Sequence, residues 1–169
     1  MPISVILLSV TVAGFWDLRW RRIPNWLVAL TIVVSLTWHA VVNGVPGLWM
    51  SLLGLLVGTA ILFPFFLVRG MGAGDVKLFG AIGAAVTYNH ILTVFVISAI
   101  IAAAMALGRA LWARALMSTF RNVVALTGGF IHGRFGAHPV LNIANERALA
   151  IPFGVSVAIA TWLFVLFGK

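Results

Sequence analysis

The chain has 169 residues, of which 63% are apolar and only 8% are charged. Soluble domains carry about 25% charged residues, so this composition excludes an ordinary soluble domain and indicates one compact integral membrane domain. The net charge is +8, but the basic residues lie between apolar segments, which is typical of membrane topology rather than of a nucleic-acid-binding surface. The chain has no cysteine, which excludes disulfides, thiol nucleophiles and cysteine-ligated zinc.

Apolar segments recur along the chain, and a helix that crosses a bilayer needs about 17–25 such residues. The first apolar segment lacks the basic start of a secretory signal, so we interpret it as a retained helix. Pro24 disfavours helix at the residue before it, and 43–47 is an uncharged turn rich in glycine. The pattern predicts an all-α membrane protein, one domain over 1–169, with six transmembrane helices at about 3–18, 25–42, 48–68, 75–87, 91–108 and 148–167.

The apolar stretch from Val76 to Leu107 is interpreted as two helices that break at Tyr88–His90. As one helix it would be about 48 Å long, whereas the hydrocarbon core of a bilayer is about 30 Å thick. With this break and an outside N-terminus, ten basic residues face the cytoplasm and only Lys169 lies outside, as the positive-inside rule expects. Joining the two helices would export five arginines, so both chain termini are predicted to lie outside.

The connection at 109–147, between the fifth and sixth helices, contains an amphipathic piece. Trp112, Leu116, Phe120 and Val123 recur at helical spacing, which predicts a helix lying in the cytoplasmic interface with its arginines near anionic lipid head groups. Recruitment of a partner protein is the alternative role. The glycine-rich part at 127–145 does not allow a structural assignment.

Acidic residues are costly in a membrane and raise a functional hypothesis wherever they are kept. The chain has three, namely Asp17, Asp75 and Glu146. The predicted topology puts Asp17 at the inner end of the first helix and Asp75 at the inner start of the fourth. Two carboxylates held at one depth can share a proton and activate a water molecule, which is the chemistry of an aspartic protease and uses no metal or cofactor.

Glycines surround Asp75. Gly70, Gly72 and Gly74 permit positive φ and a close backbone approach, so the segment before Asp75 can press against a substrate or against the first helix. A face of small residues follows, suited to close helix packing in lipid; it consists of Gly80, Gly83 and Ala84.

Each acid also has a simpler interpretation. Asp75 can be the N-cap of a helix, and Asp17 can pair with Arg21, one helical turn later. Glu146 lies at the start of the last predicted helix, beside Arg147, where an ion pair or a charge at the helix N-terminus is the favoured role. His132 and His138 lie in the polar connection without acidic neighbours, so they are interpreted as solvated loop residues and no metal site is predicted.

Three segments resemble motifs of a known family. The segment 17–25 (Asp-Leu-Arg-Trp-Arg-Arg-Ile-Pro-Asn) resembles the first-aspartate motif of type IV prepilin leader peptidases. The segment 72–78 (Gly-Ala-Gly-Asp-Val-Lys-Leu) resembles their GxGD motif, which archaeal preflagellin peptidases and presenilin-type proteases share more loosely. The segment 151–154 (Ile-Pro-Phe-Gly) is similar to a third, weaker signature.

This resemblance implies a six-helix aspartic endopeptidase of the bacterial inner membrane. Its substrates would be prepilins or pseudopilins, which it would cut at the cytoplasmic face just after a glycine. It would lie in the lipid bilayer, bind no nucleic acid and use no cofactor. Asp17 and Asp75 match the catalytic aspartates. The residues that match positions around the substrate or the loop are Gly72, Gly74, Lys77, Pro24 and Asn25.

The connection after the first helix departs from the longer members of this family. Those bifunctional members carry a cytoplasmic insertion there, often with paired cysteines, and also methylate the new N-terminus. Here only a short basic hinge joins the first two helices. The sequence therefore resembles the small form that accompanies tight-adherence (Flp-type) pili, and methyltransferase activity is not expected.

Two other functions account for charged groups in a membrane. One is a small proton-coupled transporter or channel component in which Asp17 and Asp75 carry protons, although transport sites usually lie near the midplane. The other is a non-catalytic assembly protein of a pilus or secretion system, with the aspartates in structural pairs.

Overall fold

The computed structural model describes residues 3–20, 22–67, 70–112 and 153–167, and the regular structure within them is entirely helical. This confirms the all-α class for those residues. The predicted interfacial helix beyond Trp112, the histidines at 132 and 138, and Glu146 lie outside them. The helices in chain order are α1 Ile3–Trp20, α2 Asn25–Leu67, α3 Ala73–Val86, α4 Tyr88–Trp112 and α5 Phe153–Phe167.

The 43 residues of α2 form two arms that fold back on each other at Gly44, whose φ of 63° and ψ of −151° are not helical. On one straight helix Asn25 and Thr59 would lie about 51 Å apart, yet both line the same groove. The predicted reversal of the chain is therefore present. The predicted turn over 43–47 is wrong in its length, because the non-helical backbone angles are at Gly44. Glycine adopts a positive φ without steric penalty, so one residue is enough to reverse the chain.

A second reversal separates α3 from α4 at Thr87, which has a φ of 68°. The break predicted at Tyr88–His90 therefore lies one residue earlier, and those three residues begin α4. The ring centroids of Phe79 and Phe95 lie 6.0 Å apart in an edge-to-face contact. On one continuous helix these two residues would be about 24 Å apart, so α3 and α4 form a hairpin.

The second arm of α2 packs on α3 through small residues. A Cβ placed on Gly83 would overlap the carbonyl oxygen of Gly54, and a Cβ on Gly54 would overlap that of Gly83. The Ser51 hydroxyl donates a 2.7 Å hydrogen bond across this contact to the Ala84 carbonyl oxygen. The predicted small-residue face of α3 is thus confirmed, and it fixes the helix that carries Asp75.

Among the residues that the structure describes, two helices are long and apolar enough to cross a bilayer, namely α2 and α4, with mean hydropathies of 2.2 and 2.5 over their most apolar windows. Only 22% and 17% of those windows are buried, whereas the core helix of a soluble protein is mostly buried. Outward-facing apolar side chains such as Leu30 and Ile100 indicate contact with lipid. Six crossings, and outside termini, stay predictions.

Candidate active site

Asp17 lies in the last turn of α1 and is only 6% exposed. It continues a buried stripe that includes Ile6, Val10 and Ala13, whose spacing of three and four residues places them on one helix face. That face packs mainly against α5. Asp17 therefore points into the helix bundle because it occupies a core position of its helix.

The Asp17 carboxylate is held by the start of α5. The backbone N–H of Gly154, the second residue of that helix, donates a 2.8 Å hydrogen bond to Asp17 Oδ2. The first four N–H groups of a helix lack partners within it, so this contact satisfies both groups. Arg21, the other partner considered for Asp17, lies outside the described residues.

Asp75 lies in the first turn of α3 and is half-buried. The N-cap position belongs to Gly72, with an extended φ of −75° and ψ of 147°, so the interpretation of Asp75 as the N-cap residue is wrong. As the third residue of the helix, Asp75 accepts a hydrogen bond from the Gly72 backbone amide. Acidic side chains often reach back to the cap in this way.

The two aspartates lie where α1 ends and where α3 begins. The carboxyl groups of Asp17 and Asp75 are close enough to repel each other when both are ionised. In the same region a Cβ on Gly74 would lie 3.4 Å from the Cβ of Ile23, just beyond the end of α1. The fold therefore places two acids from separate helices in one region, and their catalytic roles stay predictions.

The glycines before Asp75 act through close approach rather than through unusual backbone angles. Gly72 has a φ of −75° and Gly74 lies inside α3, so positive φ is not used at either of these glycines. A Cβ on Gly72 would lie 3.3 Å from Asp75 Oδ2. The absence of side chains leaves room for the carboxylate.

Lys77 and Asn25 form a separate pair on the far side of α3. Lys77 Nζ donates a 3.4 Å hydrogen bond to Asn25 Oδ1 at the surface, beside a largely apolar groove of about 310 Å³. Side chains two positions apart on a helix point about 200° away from each other around its axis, so Lys77 faces away from Asp75. The carbonyl oxygen of Pro24 accepts a hydrogen bond from the amide of Val28, so Pro24 lies directly before α2.

Gly154 is the site residue that the sequence did not single out by itself. It lies in the segment 151–154, whose motif was noticed, but nothing local to that segment indicates a contact with Asp17. Within the described ranges, no group of three or more histidine, aspartate or glutamate residues is arranged to hold a metal ion. The expectation that no metal or cofactor takes part stays a prediction.

Comparison with known proteins indicates the family to which the chain belongs. The model of the type IV leader peptidase family matches residues 4–107, a range that contains both aspartates. The chain is also 28% identical, over 164 aligned residues, to the prepilin leader peptidase/N-methyltransferase of Xanthomonas campestris pv. campestris. That alignment covers 90% of this chain and 45% of the relative, so the chain spans about half the length of the curated relative it matches.

No solved structure matches the chain. The family match alone covers more than half of the sequence, and it includes α3 and all but the first residue of α1, the helices that carry Asp75 and Asp17. The protein therefore belongs to the type IV leader peptidase family.

Proposed function

We propose that the protein is an intramembrane aspartic endopeptidase that removes the basic leader peptide from type IV prepilins or pseudopilins of the Flp type. The observation that carries this proposal is the placement of Asp17 at the end of α1 and Asp75 at the start of α3, within electrostatic reach of each other and inside the range matched by the family. A family of leader peptidases supplies the substrate class, and the two acids supply a chemistry for peptide-bond hydrolysis.

The mechanism uses one water molecule between two carboxyl groups. Because like charges held close together are not both ionised, the pair shares one proton. The ionised carboxylate takes a proton from the water, and the resulting hydroxide attacks the scissile carbonyl carbon. The protonated partner donates a hydrogen bond to the carbonyl oxygen as negative charge develops there.

Collapse of the tetrahedral intermediate breaks the C–N bond. The carboxyl group that took the proton from water delivers a proton to the leaving nitrogen, so the pair ends the cycle with one proton, as it began. Asp17 and Asp75 are the two catalytic residues in this scheme. The glycines before Asp75 leave space for an extended substrate backbone beside the carboxylates.

We propose the cytoplasmic face of the bacterial inner membrane as the site of cleavage. The charge asymmetry of the connecting segments supports this side, and both aspartates lie at helix ends rather than at mid-helix. Reporter fusions at Asn43 and Tyr88 test the topology, since both positions are predicted to lie outside. A cytoplasmic signal at either position would contradict it.

Methyl transfer is not part of the proposal. The relative from Xanthomonas is named for both activities, but here α1 and α2 are joined by residues 21–24 alone. Mass measurement of a cleaved prepilin distinguishes cleavage alone from cleavage followed by methylation. We expect the mass of the free N-terminus, whereas a product heavier by one methyl group would contradict a peptidase-only assignment.

The catalytic assignment is tested by Asp17→Asn and Asp75→Asn, made singly in the purified protein and assayed on a prepilin with its leader. General acid–base groups contribute roughly 10²–10⁴-fold, so each variant is expected to lose at least about 100-fold in rate. Gly108→Ala serves as the control because a Cβ there meets no atom within 4 Å. Retained cleavage in either folded aspartate variant, shown folded by circular dichroism, would refute the aspartic mechanism.

A further inference from the structure

The start of α5 touches Asp17 in a way that the two-carboxylate chemistry does not itself require. We propose that Gly154 is a positioning residue for Asp17, through its backbone N–H and through its lack of a side chain. This inference rests on the proposed function, because it assigns a role to the group that holds one of the two catalytic carboxylates.

The first part of the argument is the amide. Gly154 N lies 2.8 Å from Asp17 Oδ2, and Asp17 is almost fully buried. Hydrogen bonds to an ionised acceptor are about twice as strong as neutral ones, and the N-terminus of a helix carries a partial positive charge. The contact therefore favours one rotamer of Asp17 and also favours its ionised form, which is the form that takes a proton from water.

The second part is the missing side chain. A Cβ on Gly154 would lie 2.9 Å from Asp17 Oδ2, 3.0 Å from its Cβ and 3.2 Å from its Cγ. Carbon atoms prefer contacts of about 3.5–4.0 Å, so any other residue would displace the carboxylate. Glycine is the residue that lets the backbone approach Asp17 closely enough to donate this bond.

The third part is the register between α1 and α5, which run antiparallel. One turn back from Asp17, a Cβ on Gly14 would lie 3.0 Å from the Cβ of Ala158. Still further from the site, Trp162 Nε1 donates a 3.0 Å hydrogen bond to Thr11 Oγ1. These contacts fix how α1 and α5 are aligned along their length. The packing of the two helices as a whole therefore places the amide of Gly154 beside Asp17.

The test compares Gly154→Ala with Gly14→Ala. Both add a methyl group to the same interface between α1 and α5, with nearest contacts of 2.9 Å at position 154 and 3.0 Å at position 14, but only the first touches the carboxylate. A misplacement of about 1 Å at a reacting group can cost about 100-fold, so for Gly154→Ala we expect kcat to fall at least about 10-fold with KM within about twofold. Gly14→Ala disturbs the packing of the same two helices without touching the carboxylate, so it should lose several-fold less in kcat than Gly154→Ala.

A backbone ester at position 154, made by incorporating glycolic acid, removes the N–H without adding any atom that could clash, and it decides the question if Gly154→Ala does not fold. We expect a lower kcat, an unchanged KM and an acid limb of the pH–kcat profile that moves to higher pH, because the charged carboxylate has lost a donor. The inference is overturned if the ester behaves as the wild type, or if Gly154→Ala and Gly14→Ala lose activity equally.

Asp17→Asn is assayed beside these variants as the inactive reference. If it still cleaves the prepilin, the proposed function fails whatever Gly154 does. If Asp17→Asn is inactive while the ester retains wild-type kinetics, only the positioning role fails. The two failures are therefore distinguishable in one set of assays.

Discussion

The contact between Gly54 and Gly83 predicts a large effect from one methyl group. In Gly83→Ala the new Cβ would lie 2.8 Å from the carbonyl carbon of Gly54 and 3.4 Å from the amide nitrogen of Leu55. Both atoms belong to the backbone, so no side-chain rotation relieves the overlap. Since normal carbon contacts are about 3.5–4.0 Å, α3 must move from α2 by roughly 0.7 Å or more.

The expected cost follows from overpacking, which typically destabilises by about 1–3 kcal/mol. Replacing glycine by alanine within a helix also stabilises it by about 0.8–1.0 kcal/mol, and this gain offsets part of the cost. Gly108→Ala in α4 has the same gain without any overlap, because no atom lies within 4 Å of its Cβ. We therefore expect the two variants to differ by about 1–3 kcal/mol in free energy of unfolding, with Gly83→Ala the less stable.

The measurement is reversible unfolding of both variants and the wild type in one detergent, with helix content followed by circular dichroism. Because α3 carries Asp75, the same substitution should also lower the rate of prepilin cleavage. Unfolding free energies that agree within about 0.5 kcal/mol between Gly83→Ala and Gly108→Ala would refute the close approach of the two backbones.

Two further predictions concern hydrogen bonding and protonation. Ser51→Ala should cost about 0.6–1.7 kcal/mol, because the Ala84 carbonyl belongs to the last turn of α3, where carbonyls lack helical partners. Ser98→Ala should cost less, since its hydroxyl bonds to the Val94 carbonyl of its own helix, and equal losses would contradict this reasoning. The rate of cleavage of a leader peptide should follow a bell-shaped pH profile, since activity needs one proton on the carboxylate pair, and a profile that rises or falls throughout would contradict the shared proton.

The positions of the helices were largely predictable, because the length of an apolar segment and the residues that interrupt it are local features of the sequence. Pro24 and Asn25 mark the start of α2, and the length of the stretch from Val76 to Leu107 required a break. The details of the two reversals were not predictable, because several residues near each break are compatible with a turn. Packing selects Gly44 in one case and Thr87 in the other.

The candidate site was predictable to the extent that it depends on rare residues. An acid in an apolar chain is conspicuous, so Asp17 and Asp75 could be selected from composition and topology. The contact of Gly154 with Asp17 joins segments that are remote in sequence, and a glycine at the start of a helix has many structural uses. The side of α3 on which Lys77 lies follows from helical periodicity, and it separates that residue from the carboxylates.

The candidate site lies where two pairs of helices meet. Asp17 belongs to the pair α1 and α5, whose offset is set by Gly14 with Ala158 and by Thr11 with Trp162. Asp75 belongs to α3, which packs mainly on α2. Each carboxylate is therefore positioned by its own close helix contact, and their separation depends on how the two pairs pack together. This division explains why Gly83→Ala should disturb Asp75 without touching Asp17, while Gly154→Ala should do the reverse.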